Sequence, residues 1–492
     1  MVYVILIEGG DSVLPGEQDV NPLAMAPEEM RQLGYNAIDK IVEHLASLGT
    51  KPATRTLTGA EASELFGDKL SIENPTPPLE LLEEVCEDVF SNVMYVNHPR
   101  FFGYIPGPSN FAGVVGEFLT SGYNACGGTW LESSAETYLE LQTARYLADC
   151  FGLPATAGGV FVSGGSMANL SALAVARFQH SKSHDPKARV YCSGQTHSSV
   201  AKALRILGFA DDQLRDIPVD GQYRVDIDCL TEAIEEDEAR GLHPLAVVAN
   251  AGTTNTGAID PLPQIASVCR DKNLWFHVDG AYGGGAAVCP SRRDILKGIE
   301  LADSITLDPH KWLFQPYGIG CLLVKDTSTL TDLFGMSADY LSETVGSTDE
   351  VNPFDLGPEL TRPNRGLRLW FTLRTFGEER IAAAVEKGFH NAEHAGGLIE
   401  AAPDWEIVTP AQTGIVTFRY AGTDDEKSND DITVKVVDAL IDDGTAFVTA
   451  TQLDGRSVLR LCPINPATTS KDIEITLAKL SSLAEKQRKH SR

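Results

Sequence analysis

Positive charge is scarce in this chain: 40 lysines and arginines stand against 68 aspartates and glutamates, a formal net charge of -28. A surface of that sign repels the phosphates of nucleic acids and of anionic lipid heads, so neither is expected as a partner. Long apolar runs are missing too. Hydrophobic residues make up 43% of the 492, yet no stretch approaches the roughly 18 consecutive apolar residues of a membrane span. The nine cysteines, from Cys86 to Cys462, are scattered singly, with an odd total and no CxxC pair. That pattern suits reduced thiols and a cytoplasmic location. The opening MVYVILIEGGD carries only a short apolar run and no basic residue before Arg31, so no signal peptide is expected. Internal repeats and low-complexity tracts are absent.

What the chain does have is length for two or three domains with ample buried surface. Helical periodicity first appears in PEEMRQLGYNAIDKIVEHLASL, where Met30, Leu33, Ile38, Ile41 and Leu45 track one face. The Pro-rich ENPTPP precedes a second helix around Leu79 to Met94, and then comes the loop NHPRFFGYIPGPSN. Two helices and a loop form a poor core alone, so residues 1–110 read as a helical segment that packs on something else. Short apolar runs then alternate with helix-length stretches: GGVFVSG, ARVYCS, PLAVVANAG, LWFHVD, DSITLD and IGCLLV. This predicts an α/β domain over 111–375 with a mainly parallel sheet, in which the closely spaced DSITLD and IGCLLV are free to run antiparallel. Beyond a long helical segment from RLWFTLRTFGEER onwards, the runs GIVTFRY and SVLRLCP and a last helix predict a smaller α+β domain over 376–492.

Four features fall at predicted strand ends, where open α/β sheets place their ligands. FVSGGSMANLSALAVAR runs strand, Gly-Gly-Ser, helix, so Gly164, Gly165 and Ser166 could hold an anion at a helix N-terminus. An ordinary tight turn explains that motif equally well. His197 lies in YCSGQTHSSVAKAL, just beyond a strand and at the start of a helix, where a lone histidine is more often a surface or capping residue than a catalytic one. Asp279 ends the apolar strand LWFHVD and needs a cation or several donors, although it could simply cap the next turn. Lys311 sits in DPHKWLF, just past another strand, and a lysine there either snorkels to water or is neutralised by chemistry. One cofactor uses all four. Pyridoxal phosphate needs an anion cradle, a lysine to bond, a carboxylate at its pyridine nitrogen and a group packed on its ring.

With HPRFFGYIPG, SSAETYLELQ, GGVFVSGGSMANL, THSSVAKAL, AGTTNTGAID, WFHVDGAYGG, DPHKWLF and RPNRGLRLWF in order, the chain resembles the group II pyridoxal-phosphate decarboxylases, aromatic-L-amino-acid decarboxylase branch. The resemblance implies a fold type I, transferase-like large domain and a homodimer with a shared active site. It also implies decarboxylation of an L-amino acid, most readily an aromatic one. An aldehyde synthase of the same family and a binding protein without catalysis are the alternatives. By position, the resemblance makes Lys311 the coenzyme lysine and Asp279 the partner of the pyridine nitrogen, with His197 on one ring face and Ala281 beneath the other. Gly165, Ser166 and Asp308 fall on the phosphate side, and Thr254 at a further cofactor contact. His310, Tyr104 and Gly107 would border the substrate, and Tyr340 matches a tyrosine of the family's mobile catalytic loop. Asp308 replaces an asparagine of the animal enzymes. Cys126 and Gly128 stand where those enzymes place larger groups that line the neighbouring subunit's pocket.

Overall fold

The computed structural model describes residues 21–67, 74–182, 184–335 and 350–490. The chain forms two compact units, the first from residues 1–47 and 56–93 and the second from 48–55 and 94–492. In the first unit the helix Pro27–Ser47 buries none of its residues. The second predicted helix is shorter than expected, because regular α-helix covers only Pro78–Glu84 and a π turn, Val85–Val89, and a 3-10 turn, Phe90–Asn92, complete the run. None of those residues is buried, so no packed face holds them to one helical repeat.

The second unit contains a seven-stranded sheet. Its strands are β1 (Gly158–Val162), β2 (Ala188–Ser193), β3 (Leu214–Ile217), β4 (His243–Asn250), β5 (Trp275–Asp279), β6 (Ser304–Leu307) and β7 (Gly320–Val324), in the order β1-β7-β6-β5-β4-β2-β3. Only β7 is reversed, pairing antiparallel with both β1 and β6. It therefore restores β1 to the direction of the parallel strands, and the C-terminal ends of β1, β2, β4, β5 and β6 face one edge. That edge carries the site. The four residues of β6 and all five of β7 are buried; GCLLV in β7 reads as a continuous apolar run, while in β6 the buried Ser304 and Thr306 alternate with Ile305 and Leu307.

A second, antiparallel sheet has the order β10-β11-β9-β8, from β8 (Trp405–Thr409), β9 (Val416–Tyr420), β10 (Thr449–Leu453) and β11 (Arg456–Leu461). The runs GIVTFRY and SVLRLCP supply its two central strands. Three strands are not evident in the sequence, β3, β8 and β10, and all three lie at sheet edges. An edge strand needs fewer apolar side chains, and β3 and β10 each have only one fully buried residue. The helix Gly366–Glu400 joins the two sheets and breaks at Gly377, whose φ of 71° belongs to the left-handed region that glycine tolerates.

Candidate active site

Strand ends and the turns after them enclose a cavity of about 320 Å3, within the roughly 300–1,000 Å3 range of small-molecule sites. Its wall includes Gly164, Gly165 and Ser166 after β1, His197 after β2, and Thr254 after β4. It also includes Asp279 and Ala281 from β5, and Asp308, His310 and Lys311 from β6. Ten residues picked from sequence thus meet in one place, although they span some 150 positions of the chain.

The helix Gly165–His180 begins at this wall with Gly164 as its N-cap, and no side chain caps it. Its first-turn N-H groups and dipole favour an anion. Close approach explains the glycines here: a Cβ on Gly165 would lie 2.7 Å from Asp308 Oδ2, and one on Gly320 would lie 2.5 Å from the Gly164 carbonyl carbon. Asp279 is buried and accepts from Asn169 Nδ2 at 2.8 Å and from the Ala281 N-H at 3.1 Å. Donors thus satisfy its charge without a cation in hydrogen-bond contact.

Lys311 Nζ lies 3.0 Å from Asp308 Oδ2, and its side chain keeps 24% exposure, enough for the amine to be reached from the cavity. Burial works to lower its pKa, but the carboxylates of Asp308 and Asp279 outweigh burial and hold it above the ordinary lysine value. The aspartate in place of asparagine therefore acts here as the counter-ion of the lysine. A lysine that must react as the free amine is slowed by such a partner. Asp308→Asn is accordingly expected to lower the Lys311 pKa. Coenzyme uptake by apoprotein, followed by absorbance, should be several-fold faster at neutral pH, with its midpoint moved to lower pH. An unmoved midpoint would contradict the pairing.

His310 Nδ1 donates to the Ile319 carbonyl at 2.6 Å, leaving Nε2 3.7 Å from Asp308, and burial pushes its pKa down. The YIPG loop passes directly over it, since a Cβ on Gly107 would lie 2.4 Å from the His310 carbonyl oxygen. Tyr104 is exposed, packs on Phe447 with ring centroids 5.4 Å apart, and is not on the cavity wall. Cys126 and Gly128 do not reach this cavity either. Cys126 bridges to Pro363, and a Cβ on Gly128 would lie 2.3 Å from the Leu360 carbonyl oxygen. Enlarging Gly128 would therefore displace local backbone before it altered any pocket. Tyr340 lies outside the described residues.

Several wall residues escaped the sequence reading. Asn169 and Ser199 line the cavity, and behind the wall Arg460 of β11 donates to the carbonyl of Thr254. Arg460 is buried, with Nε donating to the Asn255 carbonyl at 3.0 Å and the guanidinium also donating to the carbonyls of Thr254 and Tyr104. The available signal was a lone polar residue in an apolar element, asparagine in ANLSALAVA and arginine in SVLRLCP.

A mainly parallel sheet with a lysine, a carboxylate and a glycine-lined helix N-terminus at one edge defines a pyridoxal-phosphate enzyme of fold type I. The cavity fits that cofactor: an uncapped helix start suits its phosphate, and a reachable amine and a buried carboxylate share the wall. The chain belongs to the pyridoxal-dependent decarboxylases, whose conserved domain it matches over residues 61–421, and it is a carboxy-lyase. It is 40% identical over 469 residues to an aromatic-L-amino-acid decarboxylase of Bacillus atrophaeus, covering 94% of this chain and 97% of that one. It is 31% identical to a phenylacetaldehyde synthase of Arabidopsis thaliana, over 92% and 94% of the two chains. The crystal structure of Oryza sativa TDC with PLP and tryptamine superposes with a TM-score of 0.89 at 28% identity, covering 95% of this chain and 99% of that one.

Proposed function

We propose that this enzyme converts an aromatic L-amino acid to its amine and carbon dioxide. The observation that carries the reading is the convergence of Lys311, Asp279 and His197 on one cavity, in a chain whose relatives include named aromatic amino acid decarboxylases. Lys311 would bond the coenzyme, and the N-terminus at Gly165 and Ser166 would hold its phosphate. Thr254, Ala281 and Asp308 would complete the contacts, with His197 against the ring. Bound pyridoxal phosphate supplies an acceptor for the electron pair left at the substrate Cα when carbon dioxide departs. An ionised Asp279 favours a proton on a nitrogen it faces, since opposite charge favours the charged form. His310, Gly107 and Tyr104 would border the substrate. Tyr340, in a Gly-, Ser- and acid-rich stretch, is our candidate to return a proton to Cα, because a phenol can donate where a phenylalanine cannot.

The phenylacetaldehyde synthases among the relatives favour a second reading, in which oxygen consumes the decarboxylated product and yields aldehyde, ammonia and hydrogen peroxide. One assay separates the two. Aromatic amino acids, with glutamate as control, are expected to give amine and carbon dioxide in equal amounts without peroxide. Peroxide and aldehyde matching the carbon dioxide would replace the decarboxylase reading, and turnover of glutamate alone would remove the aromatic one.

We also infer a cytoplasmic homodimer in which Cys126 and Gly128 approach the neighbour's site. Their loop joins the helices Phe111–Tyr123 and Trp130–Cys150, which expose Phe118, Tyr123, Leu131 and Tyr138. Grouped exposed aromatics mark a surface that a partner covers. All nine cysteines are free thiols, as a reducing compartment would leave them. Sedimentation at the mass of one 53.0 kDa chain would refute the dimer. The division between large and small domains falls, in this reading, at the Gly377 break.

A further inference from the structure

Asn169 is buried on the helix that starts at the cavity, and all its hydrogen-bonding capacity is used. Nδ2 donates to Asp279 Oδ2 at 2.8 Å and to Ser199 Oγ at 3.0 Å. Oδ1 accepts from Thr306 Oγ1 at 2.7 Å and from His277 Nε2 at 3.0 Å. These partners fix the direction of every hydrogen. An ionised Asp279 can only accept, so the Asn169 amide nitrogen faces it and the amide oxygen faces His277. His277 must then carry its hydrogen on Nε2 and accept at Nδ1, where Ser304 Oγ lies 2.8 Å away. Ser304 Oγ in turn accepts from Trp275 Nε1 at 2.8 Å. Burial, which pushes the pKa of His277 down to about 4, keeps it neutral, as this pattern requires.

The other branch ends on the second catalytic candidate. Ser199 Oγ accepts from Asn169 and so has its hydrogen free for His197 Nδ1, 2.8 Å away. The Ser199 backbone N-H points at the same nitrogen from 3.3 Å, and a backbone N-H can only donate. His197 Nδ1 is therefore an acceptor, and its hydrogen is on Nε2, which makes no hydrogen bond among the described residues. Every hydrogen in the relay points from the sheet towards the cavity: Trp275, Ser304, His277, Asn169, and from there to Asp279 and, through Ser199, to His197. Aligned bonds of this kind polarise one another.

We propose that Asn169 is a positioning residue that, through this relay, orients the Asp279 carboxylate and holds His197 in the Nε2-H tautomer. One amide thus couples the carboxylate meant for the cofactor nitrogen to the histidine meant for its ring face. The catalytic consequence rests on the function proposed above, whereas the tautomer assignment does not.

The test is nitrogen NMR of the full chain with labelled histidine, recorded with and without coenzyme, alongside coenzyme affinity and steady-state kinetics. Wild-type His197 is expected to show protonated Nε2 and unprotonated Nδ1. Asn169→Leu, which removes no direct hydrogen bond to His197, should shift the Nδ1 resonance and lower kcat on the order of ten-fold or more with a smaller change in KM. Ser199→Ala should shift Nδ1 in a chain that keeps Asp279 paired, so it serves if Asn169→Leu fails to fold. A wild-type His197 protonated on Nδ1, or Nδ1 resonances unmoved in both folded variants, overturns the relay. Should the tautomers behave as expected while no amino acid is decarboxylated, the relay stands and the functional reading falls.

Discussion

Lys311→Ala is expected to lower kcat at least about 10^4-fold, the scale seen when a covalent catalytic partner is removed. Colour should vanish with turnover, since nothing would remain to bond the coenzyme, and borohydride treatment should no longer fix it to the protein. The structure adds an effect on stability. Asp308 is 4% exposed and has Lys311 at 3.0 Å and His310 at 3.7 Å, so removing the lysine strands its charge. Breaking a fully buried pair costs about 3–5 kcal/mol; partial exposure of Lys311 reduces this to about 2 kcal/mol. Adding Asp308→Asn to Lys311→Ala should restore that stability and none of the activity. If the single variant kept normal turnover, the lysine would not be the coenzyme's partner. If the double variant melted no higher, the ion pair would have no structural weight.

Asp279→Asn preserves shape and removes charge. Its expected cost is on the order of 10^2- to 10^3-fold in kcat, comparable to losing one well-placed electrostatic contact in a dry site. Coenzyme affinity should fall as well, because a neutral amide no longer favours the protonated ring nitrogen. The structure argues that folding would survive, as the amide oxygen can still accept from Asn169 or from the Ala281 N-H, the two donors now serving Asp279. Kinetics and coenzyme titration of this variant check the assignment together. An unchanged kcat with unchanged affinity would mean that another carboxylate faces the cofactor.

Much of this architecture was legible because burial writes itself into composition. β4 and β5 are largely apolar and buried, and with β6 they are followed at once by small or polar residues that become the cavity wall, whereas the reversed β7 is the most continuously apolar strand and ends at the other edge. The Gly-Gly-Ser turn, Asp279 and Lys311 were legible for the same reason: polar groups at the ends of apolar runs mark where a sheet stops and a site starts. Edge strands were not legible, since solvent or a loop takes one side and the apolar pattern fades in β3, β8 and β10. Tyr104, Cys126 and Gly128 show a different limit. A motif places a residue in the chain, not on the wall of a cavity.

By itself the sequence determined the central strands, the mainly parallel sheet and the chemistry available at its edge, because periodicity and strand-end chemistry are local properties of the chain. Tertiary structure alone decided the partners. Asn169 lies 110 residues before Asp279 and 30 before Ser199, and it joins them only because the first helix after β1 crosses the ends of β5 and β6. Asp308 could be read as a misplaced anion until its oxygen was found 3.0 Å from Lys311 Nζ. Hydrogen bonds and ion pairs depend on distance and direction in space, and those are fixed only when the apolar faces have packed.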